Sequence, residues 1–162
     1  MPKSSEKSLR MPPQSSDAEE AVLGCMLIEK QVVPKALQVL NADSFYNSAH
    51  AKIYKRILGL FDKNQTIDTI SVIAELEKQG ELEDVGGAYY LTGLSSEAPS
   101  SENVEYYAKL VQEKYVLRKI IQTSIDLSTS AYEAKEDITA ILDKAEQTIF
   151  ELSQNAQRGE FQ

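Results

Sequence analysis

Residues 102–152 read ENVEYYAKLVQEKYVLRKIIQTSIDLSTSAYEAKEDITAILDKAEQTIFEL, and this stretch decides the fold. Between Glu102 and Ala131 there is neither proline nor glycine, so nothing interrupts a helix. At about 100° per residue, Val104, Tyr107, Ala108, Val111 and Tyr115 share one stripe. Leu117, Ile121, Ser124, Ile125 and Ser128 share a second, rotated by more than roughly a quarter turn. The apolar face therefore changes direction near Gln112 to Val116. Either the helix kinks there, or a continuous helix changes what it packs on. The first stripe closes a head built from the preceding residues, and the second enters a hairpin. After a loop at about Tyr132 to Glu136, a second helix carries Ile138, Ile141, Leu142, Ala145, Ile149 and Leu152 on a single stripe. Two antiparallel helices joined by a short loop bury such stripes against each other.

That hairpin holds more apolar surface than two helices can hide. Val116, Ile120 and Leu127 lie to one side of the second stripe, and Phe150 lies off the stripe of the last helix. The surplus belongs either to a thicker intramolecular core or to contact with another chain. On the second reading Val116, Ile120 and Phe150 are candidates for an interface between subunits, and Leu127 faces outward.

Upstream, helix signals continue. Residues 1–15 read as a tail, because Pro12-Pro13 favours extended backbone and little there is fit for burial. Ser16-Asp17-Ala18-Glu19 is a capping-box pattern that starts a helix through AVLGCMLIE. Gly24 within it costs about 1 kcal/mol relative to alanine, a cost that a close helix–helix approach would explain. Val32 to Leu40 forms a short helix with Pro34 in its first turn. Ala49, Ile53, Ile57, Leu60 and Phe61 recur at helical spacing. Asp68 or Thr69 caps a further helix with Val72, Ile73 and Leu76 inward and Gly80 as its stop. Gly86-Gly87 is a break before a short helix from Ala88 to Leu94. No run of strand-type alternation competes. The fold class is all-α: a compact helical head over residues 16–115, then an antiparallel helical hairpin over residues 116–153, with residues 154–162 beginning a linker.

Composition narrows the chemistry. The 162 residues carry 25 acids against 17 lysines and arginines, a net charge of −8, so a phosphate backbone is a poor partner and a protein a better one. No apolar run approaches the roughly 18–20 residues of a membrane span, and no secretory signal follows the charged start. A cytoplasmic location follows as the default. Cys25 is the single cysteine, which removes internal disulfides and Cys-based zinc sites and leaves a small core residue. His50 is the single histidine, read as a surface or capping residue at the start of the third helix. The acids Glu75, Glu77, Glu81, Glu83 and Asp84 read as a solvated face around a helix end. The seven glycines never give the G-x-x-x-x-G-K-[ST] spacing that cradles nucleotide phosphates. No catalytic, cofactor or metal residues are assigned.

Three segments in order resemble one family: PPQSSDAEEAVLGCMLIE, then DSFYNSAHAKIYKRILGLFDKNQTIDTISVIAELEKQGELEDVGGAYYLTGL, then PSSENVEYYAKLVQEKYVLRKIIQ with AEQTIF at 145–150. Together they are similar to the amino-terminal domain of DnaB-type replicative helicases over about residues 12–153. The resemblance implies a helical head and hairpin, six copies of which form a collar arranged as a trimer of dimers. It implies docking of the helicase-binding domain of primase and engagement by a helicase loader or initiator protein. It also implies a 5′-to-3′ DNA helicase whose ATP and magnesium belong to a separate RecA-like motor, at replication forks. Carried to matching positions, primase contacts fall on Tyr90, Ile121 and Leu127. Ile121 is in conflict, since the periodicity places it in the hairpin core. A free-standing helical adaptor or inhibitor that imitates the collar is the alternative; a P-loop downstream of residue 162 favours the helicase, a stop codon the adaptor.

Overall fold

A computed structural model of the chain describes residues 10–157, which contain α-helices and short 3-10 turns and no strand. The tail and linker expectations for residues 1–9 and 158–162 lie outside the described residues. Helix α1, Ser16–Ile28, is buried almost all round, with Ala18, Glu19 and Val22 through Leu27 inside. A helix hydrophobic on every side belongs at the centre of a bundle. Around it pack α3, Ser48–Asp62, α5, Gly87–Ser96, and the first half of α6, Val104–Glu133. Helix α2, Val33–Leu37, covers α6, and α4, Thr69–Lys78, joins α3 to α5. Helix α7, Ile138–Ala156, packs along the second half of α6.

The local signals set most of the boundaries. Asp68 caps α4: its carboxylate accepts from the Ser71 amide at 2.7 Å and the Ser71 hydroxyl accepts from the Asp68 amide at 2.9 Å. Gly80 ends that helix at φ +71°, a left-handed conformation that favours glycine. The close approach expected at Gly24 is present. A Cβ there would collide with the Leu94 carbonyl oxygen and come within 2.9 Å of the Ala98 methyl.

Two readings are corrected, and one left open is decided. The cap of α1 is Ser15, whose hydroxyl accepts from the Ala18 amide at 3.2 Å, and not Ser16. That shift takes Glu19 out of the capping box and leaves it for the interior. Residues 13–15 are half-buried, because the Pro13 carbonyl is held by Arg118. Of the two alternatives for the long helix, the continuous one holds. Helix α6 runs unbroken through Gln112 to Val116, and its first half buries Val104, Ala108, Val111 and Gln112 against the head while its second half reaches beyond it. It turns at Ala134, which takes a left-handed φ of 50°, and α7 continues to Ala156.

Candidate functional site

The hairpin is held by a narrow, mixed row. Thr123, Leu127 and Ser130 on α6 and Ile141, Ala145, Thr148, Leu152 and Asn155 on α7 are the half-buried positions, spaced three or four apart. One flank of this row is polar: Tyr115, Lys119, Gln122, Asp126 and Glu151 line it. The other is a shallow groove of about 380 Å³ walled by Val116, Ile120, Leu127, Ile149 and Leu152.

Apolar side chains are exposed elsewhere on the hairpin as well. Leu117, Ile120, Ile121 and Ile125 on α6 and Ile138, Leu142, Ile149 and Phe150 on α7 are each between 44% and 73% exposed. Fully burying such a side chain stabilises by about 1.5–3 kcal/mol, so each half-exposed one leaves about 1 kcal/mol unrealised. Eight of them amount to roughly 8 kcal/mol, which is on the scale of the rotational and translational cost of association. Exposed apolar surface gathered in this way marks an interaction face.

The structure reassigns four of the residues singled out by sequence. Leu117, Ile121 and Ile125 were placed in the hairpin core by periodicity and instead point to solvent. Leu127, read as outward-facing, is half-buried in the groove against α7. Val116 lies half-buried at the hairpin root, between this groove and a second one formed with Val39, Lys109 and Leu117. Ile120 and Phe150 are 46% and 63% exposed.

Tyr90 belongs to a different place altogether, the head. It is half-buried, and its hydroxyl lies 2.6 Å from His50 Nε2 and 3.2 Å from Glu20 Oε1. Burial raises its phenol above the ordinary value, reinforced by the charge and hydrogen bond of Glu20 and by the charge of Glu19. His50 is neither a surface nor a capping residue. It is fully buried, its Nδ1 donates to Glu19 Oε1 at 2.8 Å, and Asn47 caps α3 in its stead. Glu19 also accepts from the amides of Tyr46 at 2.8 Å and Asn47 at 3.3 Å. One buried carboxylate thus ties α1 to the entry of α3, and the His50 ring carries the link on to α5 through Tyr90. Cys25, 1% exposed, donates to the Pro99 carbonyl at 3.5 Å, and burial pushes its thiol up from the ordinary value. Of the acids around the end of α4, Glu81 lies 3.3 Å from Arg56 and Asp84 3.4 Å from Lys52.

At the hairpin root, Arg118 donates to the carbonyls of Pro13 at 2.8 Å and Ser44 at 2.9 Å, between the rings of Tyr46 and Tyr115. Burial lowers its guanidinium from the ordinary value, opposed by the charge of Glu19, and the group stays charged. Gln112, 4% exposed, accepts from the Ser44 hydroxyl at 3.2 Å and donates to the Asn155 carbonyl at 3.1 Å. Sequence reasoning passed over both. The signal for Gln112 was a polar residue set among the apolar positions 104, 108, 111 and 115; for Arg118 there was none.

Against known proteins, residues 11–113 match the family model described as DnaB-like helicase N terminal domain. The replicative DNA helicase DnaB of Geobacillus stearothermophilus is 39% identical over 154 residues, covering 95% of this chain and 34% of that protein. The Rhodothermus marinus DnaB is 41% identical over 144 residues, covering 89% of this chain and 15% of the relative. The chain thus spans about a third or less of these proteins. The crystal structure of the N-terminal domain of DnaB helicase from Mycobacterium tuberculosis superposes with a TM-score of 0.81 at 36% identity, covering 86% of this chain and 99% of that one. A structure of a DnaB-like replicative helicase, described with its interactions with primase, aligns with a TM-score of 0.68 at 26% identity, covering 83% of this chain and 31% of that one.

Proposed function

This chain belongs to the DnaB-like helicase N-terminal domain family, and from that premise we propose that it is a collar domain that assembles replicative helicase subunits and docks primase. The observation that carries the proposal is the hairpin's exposed apolar face, Leu117 to Ile125 on one helix and Ile138 to Phe150 on the other. Its neighbour described with primase supports the choice of partner. In this reading Ile120, Val116 and Phe150 serve contact between subunits, up to a trimer of dimers, Ile121 serves the helicase-binding domain of primase, and Leu127, packed against α7, holds the hairpin that presents it. Tyr90 acts from within, by holding the head in shape. Unwinding, ATP and magnesium belong to a motor domain rather than to these residues, and the assembly works in the cytoplasm at replication forks, where a loader or initiator protein engages it.

The test is calorimetric titration with a primase helicase-binding domain, alongside sedimentation velocity over a dilution series. Saturable binding and concentration-dependent self-association are expected. A strictly monomeric chain with no heat of binding at millimolar primase domain overturns the proposal.

A further inference from the structure

Four hydrogen bonds gather at the root of the hairpin, and all four pass through two side chains of α6, Gln112 and Arg118. Ser44, fully buried at the end of the 3-10 turn Ala42–Ser44, is the common point on the head. Its hydroxyl donates to Gln112 Oε1 and its carbonyl accepts from Arg118 Nη2. The other amino group of Arg118 holds Pro13, just before the start of α1. The other end of the Gln112 amide donates to the carbonyl of Asn155 in the last turn of α7. Gln112 and Arg118 are six positions apart, less than two helical turns. Beyond Arg118, α6 runs a further 15 residues to Glu133, all of them exposed or half-buried.

We propose that Gln112 and Arg118 form a two-point latch that sets the angle of the α6–α7 hairpin against the head through Ser44, and that releasing it lets the hairpin swing as a unit. The outer part of α6 is about 22 Å long at 1.5 Å per residue. Long helices curve with radii of roughly 60–100 Å, so ordinary bending displaces the tip of such a segment by about 2–4 Å. No proline or glycine in α6 provides a sharper hinge. The root contacts are therefore what selects one angle from a soft range. Both are suited to it. The planar fork of Arg118 reaches two carbonyls from separate segments at once, which a lysine ammonium on its flexible stem does not reproduce. Gln112 offers an acceptor to the head and a donor to α7, so both helices of the hairpin are fixed by one amide.

The experiment places nitroxide labels on the full chain at Lys63→Cys and Lys135→Cys, exposed positions on the head and at the hairpin tip. Cys25 is buried, which confines labelling to the new thiols. Pulsed dipolar measurements are made with labelled chains diluted into unlabelled ones, so that only distances within a chain register. The parent should give one narrow distribution. Gln112→Met and Arg118→Lys should each broaden it or move its centre by about 2–4 Å, on the bending scale above, with helicity by circular dichroism unchanged and a larger effect in the pair. Parent-like distributions in both single variants overturn the latch, as does a broad distribution in the parent. If one variant loses helicity the other decides, and loss in both also overturns it, because the contacts are then part of the head's folding and not a joint.

Discussion

Glu19 and His50 meet at 2.8 Å in the interior of the head, 31 positions apart in the chain and both at most 2% exposed. The carboxylate is fully engaged, with the amides of Tyr46 and Asn47 as its other donors. This one residue fixes where the second quarter of the chain lies against the first.

Replacing Glu19 with glutamine keeps the shape and removes the charge. The new amide has a single acceptor oxygen and turns an NH2 group toward N–H donors. Hydrogen bonds to charged groups contribute about 1.5–3 kcal/mol, and a buried donor left without its acceptor costs about 1–3 kcal/mol. Glu19→Gln should lower unfolding free energy by about 3 kcal/mol in urea titration with an unchanged slope. A loss below about 1 kcal/mol would show that the three contacts do little for stability.

Gly24→Ala sets two effects against each other. Alanine favours the helix by about 1 kcal/mol. The added methyl, however, meets the Leu94 carbonyl and the Ala98 methyl with no room for either. Overpacking of this kind costs about 1–3 kcal/mol or more where backbone must move. The variant should be destabilised by about 2 kcal/mol; a gain in melting temperature would mean that α1 and α5 separate easily.

Tyr90 gives the alkaline side of the stability profile. Its phenol titrates above the ordinary range in the folded chain, so the folded form keeps the proton that the unfolded form releases. The contribution is complete below the unfolded value of about 10 and is lost as pH rises beyond it. Subtracting the ultraviolet phenolate titration of Tyr90→Phe from that of the parent isolates this residue. The difference curve should stay flat through pH 10, and Tyr90→Phe should weaken less steeply above it. A midpoint at or below 10 would contradict the enclosure seen around the hydroxyl.

Ile121 and Leu127 separate docking from folding. Ile121 is 47% exposed, and Ile121→Asp should change stability by no more than about 1 kcal/mol while weakening primase-domain binding at least about tenfold, or 1.4 kcal/mol. Leu127 is packed beside Ile149 and Leu152, and Leu127→Asp should cost about 2 kcal/mol and loosen the hairpin. Thermal melts and calorimetry on both variants decide it. The reverse ranking, with Leu127→Asp harmless to the fold, would place Leu127 on the surface after all.

The sequence by itself determined the helical class, the position of most helices and the lack of a nucleotide-binding loop within these residues. Those features are local: a capping pair at Asp68 and Ser71, a left-handed glycine at 80, a long interval without breakers, the absence of one glycine-lysine spacing. It also showed that the hairpin carried too much apolar surface. What it left open was which residues formed the surplus. A period of 3.6 fixes the angles between side chains of one helix but not the rotation of that helix against its neighbour. With isoleucine and leucine on both flanks of α6, either rotation satisfied the pattern. Tertiary structure chose the one that seats Leu127 and exposes Ile121. It likewise drew Glu19 from a helix start to a buried histidine, because the donors that complete its carboxylate lie some 27 residues further along the chain.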